Sequence, residues 1–290
     1  MNAAYQRRPP ADWPGAEFGE QRDVGGVRWY YQRRGAGVGR VLFLHGTGAS
    51  SHSWHRVAEH LAQSREVLIP DLPGQGFSEV RDPSQITLEG MAKALRALLE
   101  ELGFAPDTIV GHSAGAAIAC CLCLRGAVNP RHLVSMNGAL LPFGRAAAPV
   151  MSSAAQFLAS SRMLPYIVAA HSLTRYPIER MLRSTGSMLD PQMARCYRTL
   201  LGSPGHVSGT LRMMANWDLN QLERNLHRLE PELWLLVGTG DEVVAPQQAY
   251  ELHERLPDSK LFEFPDLGHL AHEERPDLVS GVLDDLKERD

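Results

Sequence analysis

The 290-residue chain contains no run of 18 apolar residues, so none of it is expected to cross a bilayer as a helix. Positive charge is also scarce. Lysine and arginine total 29 against 33 acids, a formal charge of -4, which gives the molecule no general attraction to nucleic acid. No apolar stretch follows the two arginines of the opening MNAAYQRRPPADWPG. Neither secretion nor twin-arginine export is therefore expected, and a cytoplasmic location with reduced thiols is. Cysteine is limited to four residues; Cys120, Cys121 and Cys123 lie on one predicted helix and are expected to be small core residues. No metal site and no cofactor are expected. Repeats are absent, and biased composition is confined to the first 15 residues, expected to be an irregular N-terminal arm.

The remainder is ordinary globular composition, 44% hydrophobic and 21% charged. VRWYYQRR (27–34), VLFLH (41–45), EVLIPDLPG, DTIVGHS, HLVSMNG, PELWLLVGTGD and SKLFEFPD each read as a strand with a turn signal behind it. Helical patterns separate them. The clearest is ITLEGMAKALRALLEELG, where Thr87 is a plausible N-cap and Gly103 a C-terminal stop. Alternating strands and helices imply an α/β fold, a mostly parallel eight-stranded sheet with helices on both faces. At Pro142 the pattern changes to short helical pieces broken by Pro and Gly. The expected division is a core of 16–141 and 215–290, with 142–214 inserted as a helical cap.

GHSAG lies between a predicted strand and a predicted helix, the setting in which G-x-S-x-G becomes a nucleophile elbow. A sharp strand-to-helix turn would lift Ser113 clear of the sheet, with Gly111 and Gly115 giving the chain room to pass. A serine hydroxyl needs a base beside it, and the base needs an orienting acid. In the chain order expected of this topology, Asp241 follows the strand LWLLVGTG and His269 follows the last strand. Glu242, Asp218 and Asp266 are competing acids and His272 a competing base; each is expected instead as a solvated loop or helix-start residue. HGTGAS at 45–50 is the expected oxyanion loop, the Thr47 and Ala114 N–H groups being the donors.

HGTGASSHSW, DLPGQGFS, GHSAGA, GTGDEVV and LGHLAHEERP, in this order, resemble the α/β-hydrolase superfamily over essentially the whole chain. NGALLPFGRAA, TGSMLDP and MMANWDLNQL lie outside the catalytic motifs and sharpen this to a resemblance to the magnesium-chelatase accessory family of bacteriochlorophyll biosynthesis. The resemblance implies a Ser113–His269–Asp241 triad and ties the chain to magnesium insertion into protoporphyrin. It departs from the superfamily's common text at Gln75, often His, and at Ala116, often Gly. Neither position touches the proton relay.

The cap is expected to select substrate. Between Pro142 and Met214 there are eight arginines (145, 162, 175, 180, 183, 195, 198 and 212) but only Glu179 and Asp190 as acids. Seven of the ten methionines, Met151, Met163, Met181, Met188, Met193, Met213 and Met214, also fall there, as core residues or as an adaptable apolar surface. Arginine binds carboxylates bidentately, so this composition suits a flat apolar ligand with carboxylates, such as protoporphyrin or its magnesium complex. The same charge would suit peripheral contact with an anionic membrane. His112, Trp217 and Met213 are the candidate substrate contacts, Trp217 also as a hinge between cap and core. His171 and His206 are expected as hydrogen-bonded histidines before they are expected as axial ligands. Three functions stay open: a serine hydrolase with a tetrapyrrole-suited cap, a non-catalytic porphyrin carrier that meets magnesium-chelatase subunits, and a broad carboxylesterase unrelated to pigments.

Overall fold

The computed structural model describes residues 8–142, 161, 163–171 and 176–286. Arg145, Arg162, Arg175, Met151 and the first seven residues of the N-terminal arm lie outside them. The strands are β1 (Gly19–Val24), β2 (Val27–Arg34), β3 (Arg40–Leu44), β4 (Glu66–Pro70), β5 (Glu79–Val80), β6 (Thr108–His112), β7 (His132–Met136), β8 (Glu232–Gly238) and β9 (Lys260–Phe264). They form one sheet in the order β1-β2-β4-β3-β6-β7-β8-β9, with β5 beside β2. From β4 to β9 neighbouring strands are parallel; β2 runs antiparallel to β1, β4 and β5. The expected eight strands become nine. β1 and the two-residue β5 carry no apolar alternation: β1 reads GEQRDV and is largely exposed.

Period-two alternation sorts the central strands onto two faces. Leu42, Leu44 and Leu68 face α2 (Leu88–Leu102) and α3 (Ala114–Leu124), in one core cluster that includes Leu95, Leu98 and Ile118. Val41, Phe43, Val67 and Ile69 face α1 (His55–Leu61) and the closing helix, with Trp54, Val57, Leu61, Val279 and Leu283. Each such side chain, fully buried, contributes about 1.5–3 kcal/mol. The α2 ends follow their residues: Thr87 Oγ1 accepts the Gly90 N–H at 3.0 Å, and Gly103 closes the helix in the left-handed region. α3 is enclosed from Ala114 to Leu122, so it carries no polar face, and Cys120 and Cys121 are part of the core.

Between β7 and β8 the described chain leaves the sheet. This insert holds α4 (Leu164–His171), α5 (Tyr176–Arg183), α6 (Pro191–Leu201) and α7 (Pro204–Ala215), before α8 (Asn220–Asn225) returns to pack on α3. Asp190 and Ser203 cap α6 and α7 through their side-chain oxygens. α9 (Gln247–Arg255), the short α10 (Ala271–Glu274) and α11 (Pro276–Asp284) complete the chain.

Candidate active site

The carboxyl ends of β3, β6, β7, β8 and β9, neighbours in the sheet, carry Thr47, Ser113, Asn137, Asp241 and His269 on the loops that follow them. Open α/β sheets bind ligands at this edge. Ser113 sits at φ 51°, ψ -118°, a left-handed turn that few non-glycine residues adopt, between the last residue of β6 and the first of α3. The strain is held by packing. α3 begins so close to β3 that a Cβ on Gly115 would lie 2.7 Å from the His45 carbonyl oxygen. On the other side, a Cβ on Gly46 would stand 3.1 Å from the Ser113 Cβ, so the chain just before Thr47 passes close to the serine.

His269 Nδ1 lies 2.7 Å from Asp241 Oδ2. The Asp241 carboxylate is buried and takes four donors. Oδ1 accepts the N–H groups of Val243 (2.7 Å) and Val244 (2.9 Å), and Oδ2 accepts the Asn137 amide at 2.6 Å together with the His269 ring. With Nδ1 donating to this carboxylate, His269 keeps a bare Nε2 for accepting a proton. Its peptide is held at both ends: the N–H donates to the Thr185 carbonyl at 3.0 Å, and the carbonyl lies 2.9 Å from His112 Nε2.

Asn137 escaped the sequence reading. It occupies a left-handed turn (φ 46°), gives its amide to Asp241, and accepts the Gly238 N–H at 3.1 Å. The only signal was its place after a strand, in MNG. Gln75, visible in the sequence as a departure, accepts the Gly48 N–H at 2.6 Å and so fixes the Thr47 loop.

The candidate substrate contacts fall in different surroundings. His112 is 2% exposed, its ring packed between His269 (4.6 Å) and His272 (4.4 Å), so what it touches is the histidine loop. Met213 is also buried, its sulfur 2.8 Å from Gln75 Nε2 and 3.7 Å from Thr47 Oγ1. Trp217 is half-buried against the α2–α3 core. Glu242, Asp218 and Asp266 are exposed. His272 stands at the start of α10, one of the two settings expected of it, but it is fully buried against Trp54 and not solvated, and burial depresses its pKa to about 3. His206 is buried too, accepting the Gly76 N–H at 2.9 Å, while His171 is exposed. Among the described residues, no group of three His, Cys, Asp or Glu side chains has the arrangement of a metal site.

A second buried acid, Glu273, follows His272 in the chain. Its Oε1 accepts the hydroxyls of Ser53 (2.5 Å) and Tyr197 (2.6 Å), and burial raises its pKa to about 7. Ser53 Oγ is also 2.7 Å from His272 Nε2. With the serine proton given to Glu273, the His272 Nε2–H donates to Ser53.

A sheet of this order, with a strained serine after β6 and a His–Asp pair on the loops after β8 and β9, has the arrangement of one class of protein. The chain belongs to the α/β-hydrolase fold family, whose model matches residues 39–276. Within that family it is 36% identical to the magnesium-chelatase 30 kDa subunit of Rhodobacter capsulatus, over 97% of this chain and 99% of that one. It is also 24% identical to 2-hydroxymuconate semialdehyde hydrolase of a Pseudomonas species, over 93% of this chain and 94% of that one. Among solved structures, an α/β-hydrolase fold protein from Burkholderia ambifaria shares the fold with a TM-score of 0.77 at 21% identity, covering 92% of this chain and 97% of that one.

Proposed function

We propose that the protein is a serine hydrolase of ester or related acyl bonds, with 142–214 as its cap and an anionic tetrapyrrole, protoporphyrin or its magnesium complex, as its ligand. The observation that carries the catalytic part is the buried 2.7 Å His269–Asp241 pair on the same sheet edge as the strained Ser113 turn. In the reaction, Ser113 Oγ attacks the acyl carbon as His269 Nε2 takes its proton, and Asp241 stabilises the resulting imidazolium. The Thr47 and Ala114 N–H groups receive the negative charge on the acyl oxygen; such a donor is worth about 2.7–4 kcal/mol in the transition state. His269 then protonates the leaving group. Water, deprotonated by the same ring, releases the acyl product from Ser113.

The ligand class rests on the likeness to the magnesium-chelatase subunit and on the cap's composition. Arg180, Arg183 and Arg195 are exposed there, as are Met163, Met181, Met188 and Met214, whereas Met193 and Met213 are core residues. Contact with magnesium-chelatase subunits belongs to the same proposal. A second reading, a porphyrin carrier without chemistry, is favoured by that likeness alone. Peripheral membrane contact through the basic cap is a further part of the first; no helix among the described residues is long and apolar enough to span a bilayer.

Two titrations test these readings. Wild-type protein should be labelled at Ser113 by a fluorophosphonate, Ser113→Ala should not be, and magnesium-protoporphyrin should bind and block the labelling. Retained labelling in Ser113→Ala would remove the serine assignment. Porphyrin binding without any labelling of wild type would favour the carrier, and labelling without porphyrin binding an esterase unrelated to pigments.

A further inference from the structure

TGSMLDP, 185–191, joins α5 to α6 and takes no part in the reaction set out above. It is wedged between the two loops that carry Asp241 and His269. One acceptor serves both: the Thr185 carbonyl takes the N–H of His269 at 3.0 Å and that of Glu242 at 3.4 Å. Ser187 Oγ accepts the Leu270 N–H at 2.9 Å. Glu274 then joins the turn to the histidine loop, its Oε2 accepting the Met188 N–H and its Oε1 the Gly268 N–H, each at 2.9 Å. Gly268, His269 and Leu270 thus all donate their N–H groups to the turn or to the carboxylate bound to it.

The approach leaves no slack. Gly186, at φ 79°, passes so near the acid loop that a Cβ would strike the Gly240 carbonyl oxygen, and a Cβ on Gly268 would lie 2.5 Å from Ser187 Oγ. Asp241 and His269 stand on loops after different strands, so the 2.7 Å between them depends on how far apart those loops are held. A small misplacement of a reacting pair costs far more rate than stability.

We propose that the Thr185–Met188 turn is a positioning element for the His269–Asp241 pair, setting the spacing of the two loops from above the sheet. The inference rests on the relay proposed for Ser113, His269 and Asp241. It makes the insert part of the frame of the relay, so that the turn and the proton-transfer geometry move together.

Ser187→Ala and Gly186→Ala in the full chain test it. Four quantities are followed: the limiting rate and half-saturation of fluorophosphonate labelling at Ser113, the pH midpoint of that labelling, and the low-field proton resonance of His269 Nδ1–H. Ser187→Ala should slow the limiting rate by about tenfold or more, leave half-saturation unchanged, and move both the midpoint and the resonance. Wild-type rate, midpoint and resonance in Ser187→Ala would overturn the inference even if its melting temperature fell, because the turn would then only hold the insert in place. Gly186→Ala is the harsher change; if it does not fold, Ser187→Ala decides. If wild-type protein is not labelled, the hydrolase reading falls. The resonance needs only the His269–Asp241 bond, so its shift in Ser187→Ala would still support the turn's role and its constancy would still overturn it.

Discussion

Asn137 shows how much a single amide holds together. It ties the loop after β7 to Asp241 and to Gly238, two groups on or just beyond β8. Asn137→Ala would leave a buried carboxylate oxygen short of one donor and the Gly238 N–H without its acceptor. Each loss typically costs about 1–3 kcal/mol. The expected outcome is a lower melting temperature together with slower labelling of Ser113, read by calorimetry and fluorophosphonate kinetics on one preparation. The placement of Ser113, Asp241 and His269 on loops at the carboxyl edge of the sheet was legible, because strand ends and chain order point to it. Asn137 was not, since a neutral amide after a strand looks the same whether it holds a carboxylate or faces solvent. The burial of His272 was not legible for a related reason: a polar residue at the start of a helix reads as solvated, while Trp54 and His112 bury it.

At the scale of elements, α6 is fastened to the core at both polar and apolar points. Its cap Asp190 pairs with Arg56 of α1, and Tyr197 reaches Glu273. Glu273 is faced by Ser53, Tyr197, Asp190, Arg56 and His272, without a close cationic partner among them, and burial is what raises its pKa to about 7. A carboxyl whose folded pKa is raised favours the fold at low pH, below its ordinary value of 4.5, and loses that contribution as pH rises through about 7. Tyr197→Phe removes one donor from the charged form. Its melting temperature should therefore fall further below wild type at about pH 8 than at about pH 5. An equal deficit at both would mean that Glu273 does not ionise in the folded protein. Helix α2 was legible to its caps, whereas β1 and β5 were not. Their sequences carry no hydrophobic period, and only pairing with β2 makes them strands.

Across the whole molecule, buried histidines dominate the response to acid. Burial lowers His45 to about 4 and His206 and His272 to about 3, and holds His52 and His112 well below 6.5. These rings bind protons readily only when the chain unfolds, so their effect is loss of stability as pH falls below 6.5. Asp71 and Glu273, each raised to about 7 by burial, act oppositely and bind protons in the folded state. Five rings outweigh two carboxyls. Unfolding near pH 5 should therefore take up protons on balance, and stability should rise with pH between about 4 and 6.5. Denaturant titrations across that range measure the slope directly; a flat or falling profile would show that the rings are hydrated or already charged in the fold.

β1 closes one side of the sheet with Glu20, Gln21, Arg22 and Asp23 turned largely to solvent. An outermost strand offers unpaired backbone to any other chain, and charge along it is what discourages that pairing. The short segment that looked least like a strand is thus suited to keeping copies of the protein apart. Replacing its charges with valine or isoleucine would strengthen its strand character and at the same time create a seam for intermolecular aggregation.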